Sequence, residues 1–159
     1  MPIVSYKMGP GTFTLGAAPL DVSCQVTALT VTPTENVETE DAVHVLCGDI
    51  LPATDTVDYT YTVGGTLLQD LTTGGVVDYT WTNAGDEVPF VFVPNTTEGR
   101  QVTGTCRLIP LVIGGEVPTR PTSDFEWAII GTPVLGLSPW RTRDHHDRGG
   151  RHFTFCHRD

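Results

Sequence analysis

The stretch DEVPFVFVPNTTEGRQVTGTCRLIPLVIGGE, residues 86–116, decides how this chain of 159 residues folds. It predicts two strands joined by a turn, because apolar side chains fill both faces of residues 88–93 and recur along residues 101–113. Pro110 removes one ladder donor from the second strand and predicts an edge, a bend or a bulge there. A strand pair this apolar must be covered on at least one face, and the rest of the chain supplies the cover.

The composition indicates one globular domain built from strands and turns. Hydrophobic residues make up 39% and charged residues 18%, while 17 Gly and 12 Pro favour turns over helices. A length of 159 residues gives one domain a real core and is short for two. The beginning of the sequence lacks the apolar region of a secretory signal, and no apolar run approaches the length of a spanning helix. We therefore expect no contact with a membrane.

The charge is uneven along the chain. The formal net charge is -10; residues 1–133 carry four basic and sixteen acidic groups, and residues 134–159 carry five Arg and three Asp. The sequence therefore predicts a β-domain over residues 1–133, with an N-terminal arm, and a basic, His-rich tail over residues 134–159 that is an extended arm or disordered. An acidic body does not favour gripping nucleic acid, although nucleic acid can slide past such a surface.

Alternating apolar residues predict further strands over residues 12–16, 21–32, 43–47 and 125–130. Residues 57–71 are also strand-rich, and Gly64-Gly65 fits either a two-residue hairpin or a bulge in one long strand. This pattern places Cys24 and Cys106 on core strands and ends the last strand at a Gly-Thr-Pro turn.

Two other segments are open to two interpretations. Residues 74–85 fit a strand by alternation, but Val77, Trp81 and Ala84 also lie at helical spacing. The acidic residues 33–41 fit a solvated loop or a long extension that contacts a neighbouring copy.

No constellation for catalysis emerges from the sequence. It has no nucleophile elbow, phosphate-binding loop, zinc-protease helix motif or dinucleotide fingerprint. His44 alternates with valines, as a structural histidine on a strand does. A cluster in the tail matches no structural zinc spacing: His145, His146, His152, Cys156 and His157. We therefore expect no enzyme activity, no cofactor and no metal.

Seven segments, in their order and spacing, carry a family resemblance. They are GTFTLG (11–16), CQVTALTVTPTE (24–35), LCGD (46–49), GTLLQDL (65–71), GGVVDYTWTNAGDEVPFVFVPN (74–95), VTGTCRLIPLVIGGEV (102–117) and SDFEWAIIGTP (123–133). Together they resemble a major tail protein of long-tailed bacteriophages (siphoviruses), which forms the tail tube. Residues 134–159 depart from this family pattern.

The resemblance implies a mainly β fold of two packed antiparallel sheets, a sandwich or barrel, with one short flanking helix. It favours the helix over residues 74–85. It also implies a structural virion protein: six copies form a ring, the rings stack, and the tube is the channel for genome delivery. The implied partners are further copies, a tape-measure protein, tail terminator and tail-tip proteins, and double-stranded DNA that passes without specific binding. The implied location is the virion tail, assembled in the bacterial host cytoplasm.

The resemblance also implies which segments join neighbouring rings. These are residues 1–11, the residues after 131, and a loop with the candidates Pro33, Glu35, Asn36, Glu38, Glu40 and Asp41. The acidic charge adds a hypothesis of its own, that acidic side chains line the channel and repel phosphates. Besides the acids of the loop, the lumen candidates are Asp55, Asp58, Asp70, Asp78, Asp86 and Glu87. The alternative function is an immunoglobulin-like adhesion module that binds carbohydrate.

Overall fold

The computed structural model describes residues 2–139 and is mainly β. The elements are β1 (Thr12–Leu15), β2 (Leu20–Asp21), β3 (Val26–Glu40), β4 (Val43–His44), β5 (Ile50–Leu51), β6 (Thr54–Leu68), α1 (Val76–Thr82), β7 (Glu87–Val93), β8 (Arg100–Arg107) and β9 (Thr122–Leu137). Seven strands form one antiparallel sheet in the order β2-β1-β7-β8-β9-β6-β3, and β4 pairs with β5. The predicted mainly β fold with antiparallel strands and one short helix is confirmed.

The large sheet curls so that its two halves face each other. Phe13 of β1 and Phe125 of β9 stack with ring centroids 6.5 Å apart, although two strands separate them in the sheet. Neighbouring strands lie about 4.8 Å apart, so a flat sheet would hold these two rings at more than twice the observed 6.5 Å. The segment after β2 ties the halves together: Val22 N–H donates to the Phe13 carbonyl, and Leu68 N–H donates to the Gln25 carbonyl. The two packed layers are therefore halves of one sheet.

The core lies between these halves and consists of the alternate residues of each strand. On β7 it takes Val88, Phe90 and Phe92, the residues whose alternation predicted the strand. On β9 it takes Phe125, Trp127 and Ile129; the Trp127 indole lies 4.4 Å from the Phe125 ring. The indole N–H donates to the Ile109 carbonyl, so the one polar atom of this buried ring is satisfied.

Helix α1 confirms the helical interpretation of residues 74–85. Its buried face carries Val76, Val77 and Thr80, and the helix ends at Asn83. The Thr80 hydroxyl donates to the Val77 carbonyl, and the Trp81 indole N–H donates to the Leu111 carbonyl at 2.9 Å. The helix thus covers the irregular chain that follows β8.

Five strand predictions are wrong at their ends; the one over residues 57–71, for example, is Thr54–Leu68. The second central strand stops at Arg107, because Pro110 cannot donate to a ladder and the chain leaves the sheet. The strand predicted over residues 43–47 is only Val43–His44, and the strand predicted over residues 21–32 is interrupted by a turn, which leaves Cys24 exposed. The predicted core position of Cys24 is therefore wrong, while Cys106 is buried as predicted.

The last strand continues past its predicted end. The β8–β9 register shifts between Thr103 and Thr105, and Gly131, with φ of 74°, lies in the extra residues on β9. This glycine makes a bulge, which is why it did not end the strand. The predicted domain boundary at residue 133 therefore falls inside β9. The prediction for residues 140–159, and the tail His and Cys candidates with it, lies outside the described residues.

Candidate assembly surfaces

The predicted assembly loop is a strand in a long two-stranded projection. Strand β9 pairs with β6 from Tyr61 to Leu68, whereas residues 54–60 of β6 pair with β3 alone. We call residues 34–60 the arm. Its ladder keeps one register from Ala28 to Glu40, so it leaves the sheet as a regular ribbon. All the loop candidates except Asp41 lie on β3, and the expected loop is therefore corrected to a strand.

One face of the arm carries apolar side chains together with Glu35, Thr39 and Asp55, and the other face is entirely polar. Because side chains alternate and the register is regular, the face that carries buried Leu29 and Val63 in the sheet continues along the arm. There it presents Val37, Val57 and Tyr59, each about half exposed. We call this face the apolar stripe. The opposite face carries the following side chains: Thr34, Asn36, Glu38, Glu40, Thr54, Thr56, Asp58 and Thr60.

The end of the arm is also apolar. We call residues 41–53 the tip; it contains the two residue pairs of β4 and β5. Val43, Leu46, Ile50 and Leu51 are all more than half exposed there, and nothing in the described part of the chain covers them. So small a hairpin is marginal by itself, and contiguous exposed apolar side chains mark an interaction site.

The predicted acidic residues do not form one surface in a single copy. Asp58, Glu38 and Glu40 share the polar face of the arm, whereas Glu35 and Asp55 lie on the apolar stripe. Asp41 lies at the start of the arm's end segment, residues 41–53, and the other four candidates lie on the body. Which of them face a channel stays a prediction.

Three acids on the body have local structural partners. Asp70 accepts hydrogen bonds from the Thr72 hydroxyl at 2.6 Å and the Thr72 N–H at 3.0 Å; these bonds lower the pKa of Asp70. Asp78 accepts from Gly74 N–H at 2.9 Å beside the first turn of α1. Glu87 pairs with Arg107 at 3.0 Å. These contacts organise turns and a strand end. The remaining acid, Asp86, precedes β7, and its backbone carbonyl accepts a hydrogen bond from Leu108 N–H.

An open groove lies at the base of the arm. It has a volume of about 610 Å³, and its walls come from the N-terminal segment, the start of β3 and the ends of β7, β8 and β9. We call it the groove. Its apolar lining includes Tyr6, Met8, Val31, Phe92, Val102 and Leu135.

Hydrogen bonds hold the N-terminal segment in place as one wall of the groove. The Asn95 amide donates to the carbonyls of Lys7 at 2.8 Å and Gly9 at 3.2 Å, and Gly9 N–H donates to the Pro94 carbonyl. Thr96 N–H donates to the Pro10 carbonyl at 3.0 Å. Residues 1–11, for which the resemblance implies a role in assembly, thus include the residues that form one wall of the groove.

One cationic side chain, Arg100, lines this groove. Residues 2–139 hold four Lys or Arg side chains, and the one ion pair among these residues joins Arg107 to Glu87. Of the other three cations, Arg100 lines the groove and Lys7 lies between two lining residues. Glu98 also lines it. The lining of the groove therefore carries one cation and one acid.

The titratable side chains of residues 2–139 form no metal-ligand cluster, and one buried thiol among them is held protonated. No three His, Cys, Asp or Glu side chains there lie together as metal ligands would. Burial raises the pKa of the Cys106 thiol to about 12, so this buried group is a protonated packing residue. Burial also raises the pKa of Tyr79, and Cys106 and Asp86 add to that effect. No helix of this part of the chain is long and apolar enough to cross a bilayer.

Sequence reasoning missed the tip and the groove. The alternation of Val43 and Val45 predicts a strand over residues 43–47, although Val43 is exposed and Val45 does not belong to a strand. The groove combines four distant segments and has no local signature.

No protein-family model matches the sequence, and no curated protein matches it either.

Proposed function

We propose that this chain is a structural subunit that assembles with copies of itself, specifically the tail tube subunit of a long-tailed bacteriophage. The single observation that carries the assembly is the arm, a regular ribbon whose apolar stripe continues the core face of the sheet without cover from residues 2–139. An uncovered apolar surface of this kind is stabilised by a partner. The resemblance supplies the form of the assembly: rings of six that stack into a tube in the virion tail, built in the host cytoplasm.

The charge supports a channel through which DNA passes. Residues 1–133 carry four basic and sixteen acidic groups, a net charge of -12. Such a wall repels phosphates and keeps DNA from adhering, since phosphate contacts with Lys and Arg supply most non-specific DNA binding. A tape-measure protein, a tail terminator and tail-tip proteins complete the set of proposed partners.

Shortening the arm tests the assembly. Replacing residues 35–59 by Asn-Gly joins Thr34 to Thr60, which already face each other in the ladder, through a two-residue turn. The body should fold, because β9 still pairs with residues 61–68 of β6. We expect a cooperatively unfolding monomer by sedimentation and circular dichroism, and no tubes or rings by negative-stain imaging. Normal tubes from this variant would contradict the proposal.

A matched pair of point variants separates the two faces of the arm. Val57 and Thr56 are adjacent and exposed but lie on opposite faces. Val57→Asp places a charge on the apolar stripe and should reduce assembly strongly. Thr56→Asp places the same charge on the polar face and should leave assembly close to that of the unchanged chain. Equal losses from both variants would show that added charge, and not the apolar stripe, governs assembly.

A further inference from the structure

We infer that Trp140 of each copy occupies the groove of the same copy and closes this end of the core. The groove is the place where a row of core-facing side chains loses its cover, and the chain reaches the rim of the groove just before Trp140. The contact lies within one copy, so it depends neither on the proposed function nor on any contact between copies.

The floor of the groove is a row of core-facing side chains. Phe92, Val102 and Leu135 stand opposite one another on β7, β8 and β9, so they share one face of the sheet. Phe92 is buried, Val102 is half-buried and Leu135 is 61% exposed. The row is therefore enclosed at β7 and open at β9. An apolar group seated over Leu135 would remove this exposed end of the row from water.

The chain itself leads to this place. Just after β9, buried Ser138 donates its N–H to the Gly99 carbonyl at 2.8 Å. Glu98 and Arg100, on either side of Gly99, both line the groove. Two peptide units span at most roughly 7 Å, so the backbone of Trp140 lies within that distance of Ser138. The segment that begins at Trp140 therefore starts at the rim of the groove.

The chemistry of the groove favours an indole over the residues that follow it. The lining is mostly apolar and carries one cation and one acid, so net charge does not select the occupant. Within residues 140–152, Trp140 is the one large apolar residue; the others are Arg, Thr, Asp, His and Gly. The volume of about 610 Å³ falls within the range of roughly 300–1,000 Å³ in which sites enclose a bound organic group. A buried indole N–H needs an acceptor, and Glu98 offers one at the wall.

Fluorine NMR of the full chain labelled with 5-fluorotryptophan tests this contact, because each tryptophan gives its own signal. The Trp140 signal is the one that disappears in Trp140→Phe. A soluble gadolinium chelate broadens each signal according to its exposure, with buried Trp127 and half-exposed Trp81 as internal references. The sample is kept below the concentration at which copies associate in sedimentation. There Trp140 should broaden at most about half as much as Trp81, because the sheet and the groove walls shield its ring.

Two neighbouring residues of β9 provide matched variants. Leu135 and Val134 are 61% and 62% exposed, but Leu135 lines the groove and Val134 does not. Leu135→Asp should raise the broadening of Trp140 at least about two-fold, since an indole over a carboxylate would bury that charge. Val134→Asp should leave the broadening unchanged. Tyr6→Asp on the opposite wall should act like Leu135→Asp, and Ile3→Asp, exposed and outside the lining, is its control.

The same spectra separate the outcomes. An unchanged Trp127 signal in each variant shows that the body is folded. Broadening of Trp140 as strong as that of Trp81 in the unchanged chain would overturn the inference. Equal broadening of Trp140 in Leu135→Asp and Val134→Asp would show that the indole is not held by the groove, and would overturn it too. Protection that appears only where copies associate would assign the groove to a segment of another copy, which also overturns the inference.

Discussion

The body and the arm share two strands, β3 and β6, yet the two regions differ in how deeply the side chains of these strands are buried. In the body, β6 pairs with both β3 and β9, and Val63 is fully buried. In the arm, the same ladder continues without a third strand, and Val57 on the same face is half exposed. The two regions therefore have the same backbone hydrogen bonding between β3 and β6, and they differ in the burial of their side chains. Substitutions in the body should change stability, and those in the arm should change assembly.

The largest effect on stability should come from Trp127, with Tyr59 as its counterpart on the arm. Trp127 is almost completely buried against Phe125, and Trp127→Ala should cost about 3–5 kcal/mol by leaving a cavity. Tyr59→Ala removes a half-exposed ring and should cost less than about 1 kcal/mol. Urea unfolding of dispersed subunits, followed by circular dichroism, measures both. A large loss from Tyr59→Ala would mean that the arm is part of the folding core.

A smaller effect should follow from Gly65 in the body part of the ladder. A Cβ at Gly65 would overlap the carbonyl oxygen of Ala28 on the paired strand. Gly65→Ala should therefore cost about 1–3 kcal/mol, the usual range for overpacking. Gly136 is the control, because a Cβ there meets nothing within 4 Å and its φ is not positive. Gly136→Ala should stay within about 0.5 kcal/mol by the same urea unfolding; equal costs would show that strand glycines matter here for reasons other than close approach.

The sequence predicted the parts of the fold that depend on local periodicity. The alternation of Val88, Phe90 and Phe92 located β7, and the spacing of Val77 and Trp81 was compatible with α1. These patterns work because one face of each element lies against the core. The single sheet that forms both layers was not predictable, because contact between β1 and β9 depends on the curvature of four strands together.

The arm shows what the sequence could not provide. Residues 33–41 are rich in Thr and Glu and show little apolar alternation, because neither face is buried. Their strand conformation comes from pairing with β6, a partner that local sequence does not identify. The tip has the opposite problem: exposed Val43 and Leu46 have the composition of core residues, and only the fold shows that they lie outside it.

The last prediction concerns the reactivity of the cysteines, which differ in exposure between the body and the arm. Cys47 in the tip and Cys24 in the turn before β3 are exposed, whereas Cys106 is buried. Burial raises the pKa of Cys106 from 9.0 to about 12, so the folded chain holds its proton where the unfolded chain loses it. The resulting stabilisation is complete below pH 9 and is lost as the pH rises toward 12.

Native labelling with a maleimide at pH 8, mapped by peptide mass spectrometry, checks this directly. Cys24 and Cys47 should react much faster than Cys106, because both side chains are exposed. Cys106 should react only as fast as the chain unfolds, so a low concentration of urea should accelerate its labelling and leave the other two rates almost unchanged. Labelling of Cys106 as fast as Cys47 without denaturant would contradict its place in the core. Slow labelling of Cys47 in assembled samples, with fast labelling in dispersed subunits, would add that the tip is covered by a neighbour.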